Sequence, residues 1–309
     1  MKFIFFLLTL FTTLYSPLLA KVRIFTFHYN KPDFIEFQHR TLEKFLQDNY
    51  ELIVFNDARE EEYNVAIRNT CERLGIKCIR YEPEWHFIEP LNDLIYSYVI
   101  NPNVQLHVGF SPDLFGIANQ PSVRHCHVIQ YALNQHGYSH DDIVVILDGD
   151  CFPIRPVSIR ALIAGKGMIG AYRYVREEGI GYMWVPFVRI DTPHLHDHAD
   201  LMFHLDVINN KLHDSGAHSY HYMVNHPQVV VGMYAWHASS TFHDKSDGCM
   251  YQHGFNAAEI ELTKALPWPS CVEFHVDHHF LHFGASSFYL EGHDDKVRCI
   301  KDFLNKILL

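Results

Sequence analysis

Asp142-Ile143-Val144-Val145-Ile146-Leu147-Asp148-Gly149-Asp150-Cys151-Phe152-Pro153 is the stretch on which the fold turns. Ile143 to Leu147 is aliphatic without alternation, and a strand apolar on both faces belongs at the centre of a sheet. It stops at Asp148-Gly149-Asp150. Residues two apart on an extended chain share a face, so Asp148 and Asp150 can present their carboxylates together at the strand end. Gly149 lets the backbone turn and a ligand come close, and Pro153 and Pro156 stiffen the exit. Two converging carboxylates repel one another, and a hard divalent cation relieves the repulsion, with phosphate oxygens completing its shell. Ligands of open parallel sheets bind outside the carboxyl ends of the strands. Two readings compete. One is a solvated Asp-Gly turn. The other is the aspartate pair of a phosphatase, which would be expected on the first strand of the fold.

Upstream, Val22 to Phe27 reads as a buried strand, and Lys31-Pro32-Asp33 turns the chain. Phe34, Phe37, Leu42, Phe45 and Leu46 recur at helical spacing. Glu51 to Phe55 is a second strand ending at Asn56-Asp57, Asn64 to Leu74 a helix closed by Gly75, and Lys77 to Tyr81 a third strand. This β-α-β-α-β order predicts a parallel sheet with right-handed crossovers. Residues 82–120, with Trp85, Pro90, Pro102 and Pro112, read as loops and short helices. Ser122 is placed to cap a helix running to Gln135, immediately before the central strand. Downstream, Val157 to Ala164 reads as a short helix and Gly167 to Tyr172 as a strand, after which the chain is aromatic, histidine-rich and less regular.

The bulk properties narrow the function. The chain has 309 residues, 48% of them hydrophobic, enough to fill the core of one elaborated α/β domain. Its formal charge is -11 with no Lys/Arg-rich run, which excludes a phosphate-driven nucleic-acid partner. An anionic nucleotide remains compatible with an acidic chain where a metal ion supplies local positive charge. Met1-Lys2, the apolar run Phe3 to Tyr15 and Leu18-Leu19-Ala20 form an export signal, with residues 1–20 removed on cleavage. The run is short for a membrane span; an uncleaved anchor is the alternative, and only then is a membrane a partner. The chain is expected to be secreted, periplasmic or in a secretory lumen. Export permits disulfides, the 7 cysteines leave at least one unpaired, and Cys71 and Cys78 can form a local bridge.

Val144 to Pro153, with Asp148-Gly149-Asp150 inside it, resembles the DxD region of GT-A-type nucleotide-sugar glycosyltransferases. The order of elements follows that fold over nearly all of residues 21–309, while only short motifs match closely. The resemblance implies an α/β fold with a GT-A-like, Rossmann-type mixed sheet flanked by helices. It implies one domain, residues 21–155 forming the nucleotide-sugar half and 156–309 the acceptor half. It assigns Asp148 to nucleotide ribose or metal and Asp150 to metal, the ion being Mn2+ or Mg2+. It sets Asp57 at the nucleotide base and Phe27-His28-Tyr29 beside the nucleoside, with Arg124 on the preceding helix among the donor contacts.

Later motifs extend the resemblance. Tyr182-Met183-Trp184-Val185-Pro186-Phe187 resembles an aromatic segment lining the acceptor, with Tyr182 and Trp184 as candidate contacts; ordinary core aromatics are the competing reading. His213-Asp214-Ser215-Gly216 resembles a segment near the reaction centre, which makes Asp214 a candidate general base or acceptor contact against a plain loop aspartate. Phe280-Leu281-His282-Phe283-Gly284-Ala285-Ser286-Ser287 resembles the C-terminal histidine segment, in which His282 would be a third metal ligand and Gly284 and Ser286 would approach the diphosphate. The Lys-Pro-Trp found after it in some members is missing, so the resemblance carries over no lysine contact to phosphate. Of the 24 histidines, His194-x-His196-x-His198 with His204 beyond could chelate zinc, against the favoured reading of a solvated loop, and His275, His278, His279 and His282 read as core packing mixed with one ligand. No His-Glu-x-x-His occurs.

The reaction so implied is transfer of a sugar from a UDP- or GDP-sugar to a glycan, glycoprotein or glycolipid, with Mn2+ or Mg2+. The alternatives are an exported metal-dependent phosphoester hydrolase and a noncatalytic carbohydrate-binding protein on a transferase fold.

Overall fold

The computed structural model describes residues 21–82, 97, 101–104, 121–139, 142–234, 236–239, 246–266, 272–284 and 293–309. The signal segment 1–20, most of the loop region 82–120 and Ser286 lie outside the described residues.

Two sheets carry the site. The larger is built from β1 (Val22–His28), β2 (Tyr50–Asn56), β3 (Lys77–Arg80), β4 (Ile143–Asp148), β6 (Met168–Val175), β7 (Ile180–Asp191) and β10 (Val231–Tyr234). Its order is β10-β6-β7-β4-β1-β2-β3. β4 is therefore central, as its unbroken apolar run requires, and Ile143 to Leu147 are all buried. β4, β1, β2 and β3 run parallel, while β7 pairs antiparallel with both β4 and β6. The expected Rossmann-type mixed sheet flanked by helices is thus present.

The crossovers follow local rules. Helix α1 (Pro32–Phe45) begins with proline at its first position, where no amide partner is lost. Helix α2 (Glu61–Leu74) ends at Gly75, whose φ of 67° is the left-handed cap that glycine adopts without penalty. Helix α3 (Pro121–Ala132) differs from its sequence reading at both ends. Pro121 opens it, because a proline ring is already set for the first helical turn. Ser122 therefore lies inside the helix, and its hydroxyl donates to Asp214 Oδ1 at 2.8 Å. At the other end the helix widens into a π-turn, Leu133–Gly137, closed by the Tyr138 amide donating to the Leu133 carbonyl at 2.8 Å.

The second sheet is not legible as local periodicity. Its strands are β5 (Cys151–Pro153), β11 (Trp236–Ala238), β12 (Glu273–His275) and β13 (Phe280–His282), ordered β11-β12-β13-β5. β5 follows β4 after a two-residue turn, so the two sheets meet at Asp148-Gly149-Asp150. A hairpin, β8 (Asp206–Ile208) and β9 (Lys211–His213), leads to Asp214. Among the described residues no helix is long and apolar enough to cross a membrane.

Candidate metal and donor site

The turn between β4 and β5 is braced from beneath. Gln38, fully buried on α1, donates its amide to the carbonyls of Asp148 and Cys151, each at 2.9 Å. Its own oxygen faces His28 Nε2 at 3.4 Å, and Thr26 Oγ1 lies 3.2 Å from the same nitrogen. Burial pulls the His28 imidazole down to about 4, so it is neutral and serves as a hydrogen-bonding strut. Gly149 has no room for a side chain: a Cβ there would lie 2.2 Å from the Phe27 carbonyl and 3.0 Å from the His28 ring.

Above this brace three ligand-type side chains converge. Antiparallel pairing sets His282 on β13 opposite Cys151 on β5. The Phe283 amide also donates to the Asp150 carbonyl at 2.9 Å. His282 Nε2 comes to 3.2 Å from Asp150 Oδ1 and 3.5 Å from Asp148 Oδ2. The ligand atoms of Asp148, Asp150 and His282 all lie within 4.8 Å of one another. Asp150 and His282 are buried. From α3, His125 Nε2 reaches Asp148 Oδ1 at 2.8 Å.

The carboxylates and the neighbouring histidines compensate one another electrostatically. Burial opposes ionisation of Asp148, but His125 and His282 outweigh it and hold the carboxyl far below the usual carboxylate range. Burial likewise opposes a charged His282, yet Asp150, Asp148 and Glu273 raise its pKa well above the ordinary imidazole value. His125 is raised by Asp148 in the same way, against its burial. Two carboxylates and one imidazole are a ligand set that could hold a divalent cation.

The nucleoside-side candidates gather at the ends of β1 and β2. Arg124 forms an ion pair with Asp57 Oδ2 at 2.9 Å and donates to the Asp57 carbonyl at 2.7 Å. Its guanidinium lies 4.1 Å over the Tyr29 ring, a cation–π contact. Burial raises the Asp57 pKa, with Arg124 pulling against it. Phe27 is buried, stacked on Phe55 at 5.6 Å and edge-on to His125 at 5.6 Å. His28 is buried beneath Gly149, so its ring braces the turn from below.

On the opposite side, β7 presents Trp184, half-buried, 6.0 Å from the His282 ring and 5.0 Å from Trp236 on β11. Arg173 on β6 sits 5.6 Å over Trp184 and 3.4 Å from Asp214 Oδ2. Tyr182 is only 1% exposed and packs edge-on to His213 at 5.9 Å. Burial pushes its phenol up to about 12, Arg173 lowering it and Asp214 adding to the rise. Gly216 turns the chain after Asp214 with a φ of +92°, and a Cβ there would meet the Met183 carbonyl at 1.9 Å. Gly284, φ +69°, follows β13; Ser286 belongs to the undescribed residues.

Several participants escaped the sequence reading: Gln38, His125, Arg173, Trp236 and Glu273. None of them carried a usable signal: the strands that hold Trp236 and Glu273 are three residues long, too short to show a period. The remaining ones are placed by contacts distant in sequence.

No family model matches the sequence, and no curated protein matches it. Solved structures with partial likeness do exist. The mannosyltransferase PcManGT from Pyrobaculum calidifontis, in complex with GDP-Man and Mn2+, aligns with 70% of this chain and 55% of its own at 14% identity and a TM-score of 0.39. Glucosyl-3-phosphoglycerate synthase from Mycobacterium tuberculosis aligns with 69% of each chain at 11% identity and a TM-score of 0.37. The mannosyltransferase Ktr4p from S. cerevisiae aligns with 59% of each chain at 10% identity and a TM-score of 0.37. The chain thus spans little more than half the length of the first of these. A likeness this partial leaves the chemistry to be read from the side chains themselves.

Proposed function

We propose that the chain is a metal-dependent glycosyltransferase moving a sugar from a nucleoside-diphosphate donor, a UDP- or GDP-sugar, to a glycan, glycoprotein or glycolipid. The observation that carries this is the convergence of Asp148, Asp150 and His282 at the carboxyl end of the central strand. Those three residues would hold Mn2+ or Mg2+. When bound, the ion supplies Lewis-acid neutralisation of the charge that develops on a departing diphosphate.

The protein's own residues divide the remaining work. Arg124, fixed by Asp57 and stacked on Tyr29, is the group we assign to the nucleoside side. The Trp184–Trp236 pair offers aromatic faces to a sugar ring on the other side. Asp214 accepts from Ser122 and pairs with Arg173, which holds its carboxylate in one orientation beside Trp184. That arrangement suits a group that binds and orients an acceptor hydroxyl. The apolar N-terminal run supports reading the first 20 residues as an export signal, so we assign the reaction to a compartment beyond the cytosolic membrane.

The test is a melting panel of nucleoside diphosphates and nucleotide-sugars, with and without Mn2+, on wild type and Asp150→Ala. A ligand that binds only the native state raises the melting temperature. Stabilisation by one nucleoside diphosphate that requires Mn2+ and vanishes in Asp150→Ala is expected, followed by donor-sugar transfer to an acceptor. Release of inorganic phosphate without sugar transfer would replace the reading with a hydrolase. Glycan binding without nucleotide or metal would replace it with a lectin-like role.

A further inference from the structure

The metal-side histidine is itself held by a carboxylate that the proposed reaction does not use. Glu273 on β12 is the direct cross-strand partner of His282 on β13. Glu273 Oε2 lies 2.7 Å from His282 Nδ1. An ionised carboxylate can only accept, so Nδ1 carries the proton of this bond. The same oxygen lies 3.3 Å from His275 Nε2, two residues along on the same face of β12. Trp184, 5.9 Å from the His275 ring and 6.0 Å from the His282 ring, walls the pair on one side, and Trp236 stacks on His275 at 6.2 Å.

The hairpin that makes this alignment is locally costly. Val276, Asp277 and His278 all adopt left-handed backbone, with φ of 55°, 50° and 64°. A buried β-branched residue in that region is uncommon and stores strain that its surroundings must overcome. A shift of one residue in the pairing would turn His282 to the opposite face of the sheet. The turn therefore holds the register that sets Glu273 against His282.

We propose that Glu273 is a positioning residue for the metal-binding imidazole: it fixes the ring plane and the Nδ1–H tautomer of His282, so that Nε2 faces Asp148 and Asp150 as a ligand. This inference rests on the metal-site reading above. Carboxylate partners of this kind orient ligating histidines and raise their basicity, and their loss costs about 10–100-fold in metal affinity. His275, sharing the same oxygen, keeps the glutamate from swinging toward the ligands.

The experiment is an Mn2+ titration followed by electron paramagnetic resonance on wild type, Glu273→Gln, Glu273→Met and Glu273→Ala, with the melting temperature of each metal-free protein measured alongside. Glu273→Met keeps the volume without an acceptor, so it serves where Glu273→Ala does not fold. Wild type is expected to bind one Mn2+. Glu273→Met should bind it ~10–100-fold more weakly, while Glu273→Gln, whose amide oxygen still accepts from Nδ1, should lose less. In the Mg2+-loaded protein, the His282 Nδ1–H proton should resonate far downfield in wild type, as a proton shared with a carboxylate does, and move toward the unbonded position in Glu273→Met. Equal affinity in wild type and Glu273→Met would overturn the positioning role while leaving the metal site standing. Two ions in wild type and one in Glu273→Met would also overturn it, making Glu273 a ligand. Absence of any Mn2+ binding by wild type would instead remove the metal-site reading itself.

Discussion

Gly149→Ala is the substitution whose consequence follows most directly from the geometry. The added methyl would lie 2.2 Å from the Phe27 carbonyl oxygen and 3.0 Å from the His28 ring. The first obstacle is backbone in the sheet interior and cannot rotate away. Reaching ordinary carbon–oxygen contact requires a displacement of about 1 Å, shared between the end of β1 and the β4–β5 turn. Overpacking of this kind costs ~1–3 kcal/mol. For a chain of this size that corresponds to a melting temperature lower by about 2–6 °C. The part that moves carries Asp148 on one side and Asp150 on the other, and Gln38 holds both ends of the turn. Because ligand distances tolerate only ~0.2 Å, Mn2+ affinity should fall by at least about tenfold. The assay pairs differential scanning fluorimetry of metal-free protein with an Mn2+ titration. Gly248→Ala is the control: nothing lies within 4 Å of its Cβ, and it sits in the helix Asp247–Gln252. There, in the first turn of the helix, the same change should leave stability within about 0.5 kcal/mol of wild type. A Gly149→Ala protein that melts and binds Mn2+ as wild type does would refute the reasoning, because the turn would then have room that the geometry denies it.

Two further outcomes are expected. Glu259 is fully buried, completes a capping box with Asn256 and pairs with Arg155 at 2.5 Å and His278 at 3.4 Å. Burial alone would raise its pKa, but His278 and Arg155 hold it below the ordinary glutamate value of 4.5. A depressed carboxyl contributes stability that is present above 4.5 and is lost as pH falls through the folded value. Glu259→Gln should therefore cost about 2–3 kcal/mol near neutral pH, less than a fully buried pair because Arg155 reaches water. In urea melts the gap to wild type should shrink as pH falls below 4.5, and a gap independent of pH would contradict the assignment. Cys71 on α2 and Cys78 on β3 are free thiols that hydrogen-bond to each other across the helix–strand turn. Oxidation by a small-molecule disulfide should join them, removing two hydrogens and raising the melting temperature. Peptide mass mapping that finds both thiols unbridged after oxidation would exclude the pair.

The parts of this protein written in local sequence are those whose physics is local. The unalternating run Ile143 to Leu147 can be satisfied only at the centre of a sheet, whereas the expected shared strand face of Asp148 and Asp150 is replaced by a turn: the strand ends at Asp148, and the two-residue turn Gly149-Asp150 brings the second carboxylate beside the first. Gly75 as a helix cap and the opening β-α-β-α-β series were legible for the same reason. Ser122 was misread as a cap because a competing local signal, Pro121, sets the helix start one residue earlier. The signal segment 1–20 and Ser286 remain expectations of the sequence alone. The other half of the site depended on tertiary structure. His282 meets the aspartates only because β13 pairs with β5, and Glu273 meets His282 only because three non-glycine residues turn left-handed between β12 and β13. Strands of three residues carry too few side chains to establish a period, and Asp277-His278 is only a weak composition signal for a left-handed turn without glycine. Arg173, Trp236 and Gln38 joined the site for the same physical reason: periodicity says which face a residue occupies, and only the packing of distant segments says what that face meets.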